Sequence, residues 1–262
     1  MAVPGWTTRG LATTTAPLTE GGRYRLVLAD ERACGRSDRT APRQTWTLAR
    51  MAQDISDLAA SLGVHRGYAT LGHSYGAFIV LQHAVDHPGE PRGTIVSSGI
   101  AAARWLEGVD QQLAAFEPVE LRAQVISSWA AERQVQTEDE AAALLEDQLP
   151  FHFLEPRGGA LQEYLRRTAG LARYTPEVIR YFAAQDYGGI DVEDRLGAVG
   201  HPVLVLAGRH DRVCPAGASA DMARRLPDAE LVVFEDSAHM TFAEESHRYL
   251  ATIRRFLDRI TT

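Results

Sequence analysis

The chain has 262 residues, of which 45% are hydrophobic and 23% charged, as is typical of a soluble globular protein with one large domain. Its 27 basic and 34 acidic residues give a net charge of −7 with no basic block, which argues against nucleic acid or a membrane as the partner. Cys34 and Cys214 form no disulfide framework, and no apolar run is long enough to span a bilayer. Because residues 1–23 also lack the features of a signal peptide, we expect a cytoplasmic protein.

Short apolar runs alternate with segments of helix length along most of the chain. The runs are nearly continuous in Val, Leu and Ile, as expected for strands buried on both faces of a parallel sheet. They are Tyr24–Ala29, Gly67–Leu71, Thr94–Ser98, Pro202–Ala207 and Glu230–Phe234. Apolar residues at helical spacing indicate helices at Thr47–Leu62, Ala216–Leu226 and Ser246–Ile260. The alternation predicts an α/β fold with a doubly wound, mostly parallel sheet.

One stretch, residues 101–190, contains helical patterns and no good strand candidate. We interpret it as a helical cap inserted over the carboxyl edge of the sheet, where open α/β folds bind ligands. The core domain then consists of residues 1–100 and 191–262.

Residues Gly72 to Gly76 read G-H-S-Y-G, a G-x-S-x-G pentapeptide between a predicted strand and a predicted helix. A serine on such a sharp turn needs neighbours two residues away with almost no side chain, and Gly72 and Gly76 meet that need. The turn lifts Oγ of Ser74 above the sheet and directs the N-terminus of the helix towards developing negative charge. Ser74 is therefore the candidate nucleophile.

A serine nucleophile needs a base to take its proton and an acid to orient that base. Asp211 lies in the loop that follows the fourth apolar run, and His239 lies in the loop that follows the fifth. Adjacent parallel strands are about 5 Å apart, so the two side chains can meet at the edge that carries Ser74. The order Ser, Asp, His predicts a catalytic triad of Ser74, Asp211 and His239.

These motifs resemble the α/β-hydrolase superfamily over nearly the whole chain. The segment Asp30–Asp38, which reads D-E-R-A-C-G-R-S-D, resembles the D-x-R-G-x-G-x-S-D segment of the proline iminopeptidase branch. We expect this loop to be pinned by ion pairs in which Arg32 or Arg36 binds Asp30 or Asp38. The resemblance implies a serine hydrolase that releases an N-terminal residue from short peptides.

The resemblance also implies an oxyanion hole, with one backbone N–H from Tyr75 and one from a loop that reads H-G-G-P-G in family members. Here Pro4 and Gly5 match the end of that motif, which places the second donor at Val3, and the strand before it is missing. A start codon placed too far downstream, a shortened chain and a naturally reduced sheet are the competing explanations, and we favour the first. A homodimer that covers the bare sheet edge is a further expectation.

Other functions stay open on the sequence alone. An aminopeptidase needs an anion in the cap to hold the free amine, and none of the candidates is assigned; they are Glu138, Asp139, Glu140, Glu146, Asp147 and Glu155. A carboxylic-ester or lactone hydrolase needs no such anion, and Phe151 and Phe153 would then line an acyl pocket. A binding protein that has lost the oxyanion loop is the alternative from another class. The spacings predict no metal cluster and no nucleotide site, and hence no cofactor.

Overall fold

A computed structural model describes residues 9–65, 67–171 and 173–261. Within these ranges, four strands form one sheet: β1 (Ala69–His73), β2 (Gly93–Ser97), β3 (Val203–Gly208) and β4 (Ala229–Phe234). The α-helices are α1 (Arg9–Thr15), α2 (Leu48–Ser61), α3 (Tyr75–Asp86), α4 (Val109–Ala114), α5 (Val119–Ala131), α6 (Glu138–His152), α7 (Gly159–Thr168), α8 (Pro176–Ala183), α9 (Ala216–Arg225), α10 (Thr241–Glu244) and α11 (Ser246–Thr261).

The sheet has the order β1-β2-β3-β4, and every neighbouring pair is parallel. Its register aligns Gly72 with Val96, Val96 with Val205, and Val205 with Leu231. All four carboxyl ends therefore lie at one edge. Four of the five predicted strands and the α/β fold are confirmed, with boundaries that shift by one or two residues.

The predicted first strand, Tyr24–Ala29, is wrong. The structure assigns no regular element to this run, and Val27 and Leu28 are 45% and 51% exposed. A strand needs a neighbour to pair its backbone groups, and no other described segment forms a ladder with this run. Local apolar content predicts the extended backbone but cannot supply the missing partner.

Helices pack on both faces of the sheet because successive side chains of each strand point to opposite sides. Val96, Val203 and Val205 lie in one buried cluster with residues of α2, α3 and α9. Ile95, Leu204 and Leu206 lie in a second cluster with residues of α11. The sheet is thus the middle layer of three, as the near-continuous apolar runs predict.

The ends of α2 follow from local chemistry. Thr47 caps its N-terminus by accepting a hydrogen bond from the N–H of Arg50 at 3.2 Å. Gly63 follows its C-terminus with φ at +70°, a conformation that glycine adopts without steric cost. The sequence predicts this helix at Thr47–Leu62, and the structure shows it one residue shorter at each end.

Between β2 and β3 the described chain contains helices, turns and an isolated bridge but no strand of the sheet. The chain leaves and re-enters the core where Ala102 and Asp191 form an antiparallel bridge. The N–H of Ala103 donates to the carbonyl of Ile190 at 2.7 Å, and the N–H of Val192 donates to the carbonyl of Ala101 at 2.9 Å. These bonds close the base of the helical segment.

The loop at Asp30–Asp38 is held differently from the expectation. Arg32 does not pair with Asp30 or Asp38; its guanidinium binds Asp54 of α2, with Nε 2.9 Å from Oδ2. The carboxylate of Asp30 instead accepts the backbone N–H of Arg36 at 3.0 Å. The loop is therefore closed by a carboxylate-to-backbone bond and tied to α2 by one ion pair.

Candidate active site

Ser74 occupies the strained turn between β1 and α3. Its φ of 55° and ψ of −120° are rare for a residue with a side chain, and its N–H donates to the carbonyl of Ser97 at 2.9 Å. A Cβ on Gly72 would lie 2.0 Å from the carbonyl oxygen of Gly76, so position 72 requires glycine. Tyr75 begins α3, and its N–H is one of the first-turn amides that have no acceptor within the helix.

Asp211 lies in the loop after β3 and is 7% exposed. Its Oδ1 accepts the backbone N–H groups of Val213 and Cys214 at 2.8 and 2.9 Å. Its Oδ2 lies 2.8 Å from Nδ1 of His239. Since the two amides can only donate, they fix which carboxylate oxygen faces the imidazole.

His239, which is 1% exposed, is held at three points. Asp211 binds its ring, its N–H donates to the carbonyl of His152 at 3.0 Å, and its carbonyl accepts the hydroxyl of Ser98 at 2.9 Å. Nε2 of His239 is buried and has no hydrogen-bond partner among the described residues. With Nδ1 donating to a carboxylate, Nε2 carries the free lone pair of the neutral ring.

The predicted site residues are thus partly brought together. Asp211 and His239 form the expected pair, and Ser74 lies at the same sheet edge, since the ring of its neighbour His73 is 5.0 Å from that of His239. Oγ of Ser74 does not bond to Nε2 in this structure. Such bonds often tighten only when substrate binds. Val3, the other predicted oxyanion donor, lies outside the described residues.

Two further histidines flank His239 and were not singled out by the sequence. The ring centroids of His152 and His239 are 5.2 Å apart, and His73 lies on another side. Burial lowers the pKa of His152 to about 3 and holds the pKa of His73 well below its usual value. Both rings are therefore neutral, so these two neighbours place no charge beside His239.

A buried carboxylate that was not a candidate from the sequence is linked to this group through Gln148. Glu132, at the end of α5, is 2% exposed; Oε1 accepts Nε2 of Gln148 at 2.7 Å, and Oε2 accepts the hydroxyl of Tyr187. Oε1 of Gln148 is buried without a hydrogen-bond partner in the described chain. Burial raises the pKa of Glu132. The backbone carbonyl of Gln148 also accepts Nδ1 of His152 at 3.0 Å, so Gln148 bonds both to Glu132 and to the histidine whose ring lies against His239.

Of the six acidic candidates for an amine site, Glu138 is half-buried and the other five are exposed. Glu140 closes the capping box of α6, and Glu138 binds the N–H of Tyr174 at 2.9 Å. Phe151 and Phe153, expected to line an acyl pocket, are fully buried against Phe116 and Tyr164 respectively. Neither phenylalanine presents a free surface in this structure.

Asp211, Cys214 and His239 have potential metal-ligand atoms within 4.8 Å of one another. However, the carboxylate and the imidazole already bond to each other, and Oδ1 of Asp211 also accepts two amides. Burial raises the pKa of the Cys214 thiol well above its usual value, which disfavours the thiolate that a metal binds. This donor set does not fit a resident metal ion.

Among the described residues, no helix is both long and apolar enough to cross a membrane. Residues 7–246 match the family of the alpha/beta hydrolase fold. A proline iminopeptidase of Saccharolobus solfataricus is 24% identical over 252 residues, which cover 93% of this chain and 80% of the relative.

Solved structures give the same fold. The proline iminopeptidase of Mycobacterium smegmatis superposes with a TM-score of 0.73 at 24% identity, covering 97% of this chain and 86% of that one. An esterase from Exiguobacterium antarcticum superposes with a TM-score of 0.75 at 20% identity, covering 98% and 90%. The family match spans most of the chain, and the sheet, the strained serine turn and the Asp211–His239 pair agree with it. The chain belongs to the α/β-hydrolase family and is an α/β-fold hydrolase.

Proposed function

We propose that this chain is a serine hydrolase that acts as an aminopeptidase, releasing the N-terminal residue of a short peptide. The observation that carries the hydrolytic part is the hydrogen bond of 2.8 Å between Asp211 and His239 beside the strained turn of Ser74. The family supports hydrolysis, and the names of the relatives support a peptide substrate.

In the proposed reaction, Oγ of Ser74 attacks the scissile carbonyl carbon while Nε2 of His239 takes the hydroxyl proton. Asp211 stabilises the imidazolium that forms, and the N–H of Tyr75 donates to the oxyanion. The tetrahedral intermediate collapses, and His239 returns the proton to the leaving amine, which breaks the C–N bond. Water then attacks the acyl-enzyme with His239 as base, the bond between the acyl carbon and Oγ of Ser74 breaks as His239 returns the proton to Oγ, and the N-terminal residue is released as a free amino acid.

Glu132 supports the choice of an aminopeptidase. A free N-terminal amine carries a positive charge, and a buried carboxylate beside an unsatisfied amide oxygen is a suitable partner for it. Glu132 and Oε1 of Gln148 provide this pair, and Gln148 is linked through His152 to the catalytic base. We therefore assign the ammonium group of the substrate to Glu132.

Labelling with a fluorophosphonate tests the hydrolase proposal. We expect one label per folded wild-type chain and none on Ser74→Ala, because only an activated serine displaces fluoride from phosphorus. Mass spectrometry of the intact protein and of its peptides measures both. If the folded wild-type chain takes up no label, the serine hydrolase proposal is wrong, and a non-catalytic binding protein is the remaining interpretation.

Substitution Glu132→Gln separates the aminopeptidase from an ester or lactone hydrolase. We expect kcat/KM for proline p-nitroanilide to fall by about 10- to 100-fold, since a hydrogen bond to a charged group contributes about 1.5–3 kcal/mol. Hydrolysis of p-nitrophenyl acetate should change by less than about threefold because this ester has no ammonium group. Steady-state kinetics on both substrates gives the comparison.

Glu146→Gln is the matched control, since Glu146 is an exposed carboxylate of the same helical segment. It should leave both substrates unaffected. Equal losses on both substrates in Glu132→Gln would contradict the assignment. A wild-type chain that cleaves only the ester would favour the ester or lactone hydrolase.

A further inference from the structure

His152 is the last residue of α6, and it contacts the proposed catalytic base, His239. Its carbonyl accepts the N–H of His239 at 3.0 Å, and its ring is tilted by 51° to the imidazole of His239. It is 3% exposed. The proposed reaction assigns no role to it.

The backbone around His152 and His239 is clamped by one acidic side chain. Oε1 of Glu244 accepts the N–H of Leu154 at 2.6 Å, and Oε2 accepts the N–H of Ala238 at 2.9 Å. Burial raises the pKa of Glu244 to about 7. The end of α6 and the loop of the base are therefore joined by the Glu244 clamp and by the bond between His152 and His239.

The ring of His152 is also fixed on its far side. Nδ1 lies 3.0 Å from the carbonyl of Gln148, which can only accept, so Nδ1 carries the proton of the neutral ring. The indole of Trp129 stacks on the ring with centroids 6.1 Å apart and an interplanar angle of 18°. His152 thus has one orientation and one tautomer.

We propose that His152 is a positioning residue for the base: its ring, locked by Gln148 and Trp129, sets the orientation of the His239 imidazole. Helix α6 then contributes to catalysis as well as to the structure above the sheet edge. This inference rests on the proposed function, in which His239 transfers the proton of Ser74. Nothing in it requires His152 to touch the substrate.

The groups that face His239 define what a pH profile reports. The carboxylate of Asp211 binds it, His73 and His152 flank it as neutral rings, the thiol of Cys214 lies within 4.8 Å of the ligand atoms of both Asp211 and His239, and the carboxyl of Glu244, whose pKa burial raises to about 7, interacts with it electrostatically. Of these groups, only His152 is altered in the test.

Two variants divide the contributions of His152. His152→Phe keeps a ring against His239 and Trp129 but loses the bond to Gln148, whereas His152→Asn keeps a donor at the place of Nδ1 but loses the ring. We expect kcat for proline p-nitroanilide to fall about 10-fold in His152→Phe and about 100-fold in His152→Asn. A catalytic group that is displaced by about 1 Å lowers the rate by up to about 100-fold. KM should change by less than about twofold, because the base acts in the chemical step.

The pH profile adds a readout that a loss of stability would not move. In His152→Phe the apparent pKa on the acid side of kcat/KM should fall by about half a unit or more, because an apolar ring disfavours the imidazolium. Rates are expressed per active site after fluorophosphonate labelling is carried to completion, so unfolded protein does not count. His201→Phe is the control: His201 is also buried and binds a carbonyl through Nδ1, that of Pro88 at 3.1 Å, but lies outside the site.

His201→Phe should keep kcat per site and the pH profile of the wild type. The proposal is overturned if His152→Phe and His152→Asn both keep them too, or if His201→Phe changes them equally. The downfield proton NMR resonance of the His239–Asp211 hydrogen bond gives a test without turnover, and its titration should shift in His152→Phe. If wild-type protein is neither labelled nor active, the proposed function fails, whereas this resonance still reports on His152.

Discussion

Asp211→Asn should lower kcat by about 10⁴-fold while the protein stays folded, as loss of the orienting acid does in serine hydrolases. The reason lies in the two backbone amides that bind Oδ1 of Asp211, at 2.8 and 2.9 Å. Since these amides can only donate, the side-chain oxygen of the introduced asparagine must remain with them. The NH₂ group of that asparagine then faces Nδ1 of His239.

A donor at this position reverses the tautomer of the base. Nδ1 of His239 would have to accept a hydrogen bond, so the proton of the neutral ring moves to Nε2. A protonated Nε2 cannot take the proton of Ser74. The fold should survive because the substitution preserves the shape of the side chain and both amide bonds.

Steady-state kinetics and thermal unfolding of Asp211→Asn give the measurement. Asp236→Asn is the control, because Asp236 is exposed and lies in the same loop as His239. It should have wild-type kcat. A folded Asp211→Asn protein that retains more than about a tenth of the activity would exclude Asp211 as the orienting acid.

The parts of the site that the sequence predicted are those with a local signature. Ser74 lies between glycines on a strand-to-helix turn, and Asp211 and His239 each follow a buried strand at the same edge. Strand order and direction were sufficient to expect the contact between the Asp211 and His239 loops. Because parallel strands end at the same edge of a sheet, their order along the chain is enough to predict that the loops after β3 and β4 lie side by side.

Glu132 and His152 could not be predicted in this way. Glu132 follows an ordinary helical stretch, and its burial depends on Gln148 and Tyr187, which are 16 and 55 residues away. His152 contacts a base that lies far along the chain, in the loop after β4. Only tertiary packing decides which of many acidic and histidine residues in a helical segment face inwards.

The predicted strand at Tyr24–Ala29 is wrong for a related reason, which is the absence of a pairing partner among the described residues. Its apolar sequence is as favourable as that of β4, which pairs with β3 over six positions. What differs is the presence of a neighbour. Because a strand is a property of two segments, apolar content alone predicts an extended backbone and not a ladder.

Gly208→Ala should lower the free energy of unfolding by about 3 kcal/mol or more. The added methyl group would clash with backbone atoms, which cannot move aside as easily as a flexible side chain. A Cβ at position 208 would lie 1.8 Å from the carbonyl oxygen of Ala238 and 2.8 Å from that of Ser237. Gly208 ends β3, so this close approach is what brings the loop of Asp211 against the loop of His239.

For a chain of this size, about 3 kcal/mol corresponds to a fall in Tm of about 6–12 °C, which calorimetry can resolve. Gly200→Ala is the matched control, because a Cβ there meets no atom within 4 Å and its φ lies outside the left-handed region. That variant should melt within about 2 °C of the wild type.

The activity of the Gly208→Ala protein that remains folded tests the connection between packing and chemistry. Relief of the clash requires Ala238 to move, and Ala238 adjoins His239 in the chain. The base should therefore be displaced from Asp211, and kcat per labelled site should fall by about 100-fold at temperatures well below the Tm. If kcat is unchanged in a destabilised protein, the loop shifts without moving the imidazole of His239. The bonds of His239 to Asp211 and His152 would then hold the base in place independently of the close approach at Gly208.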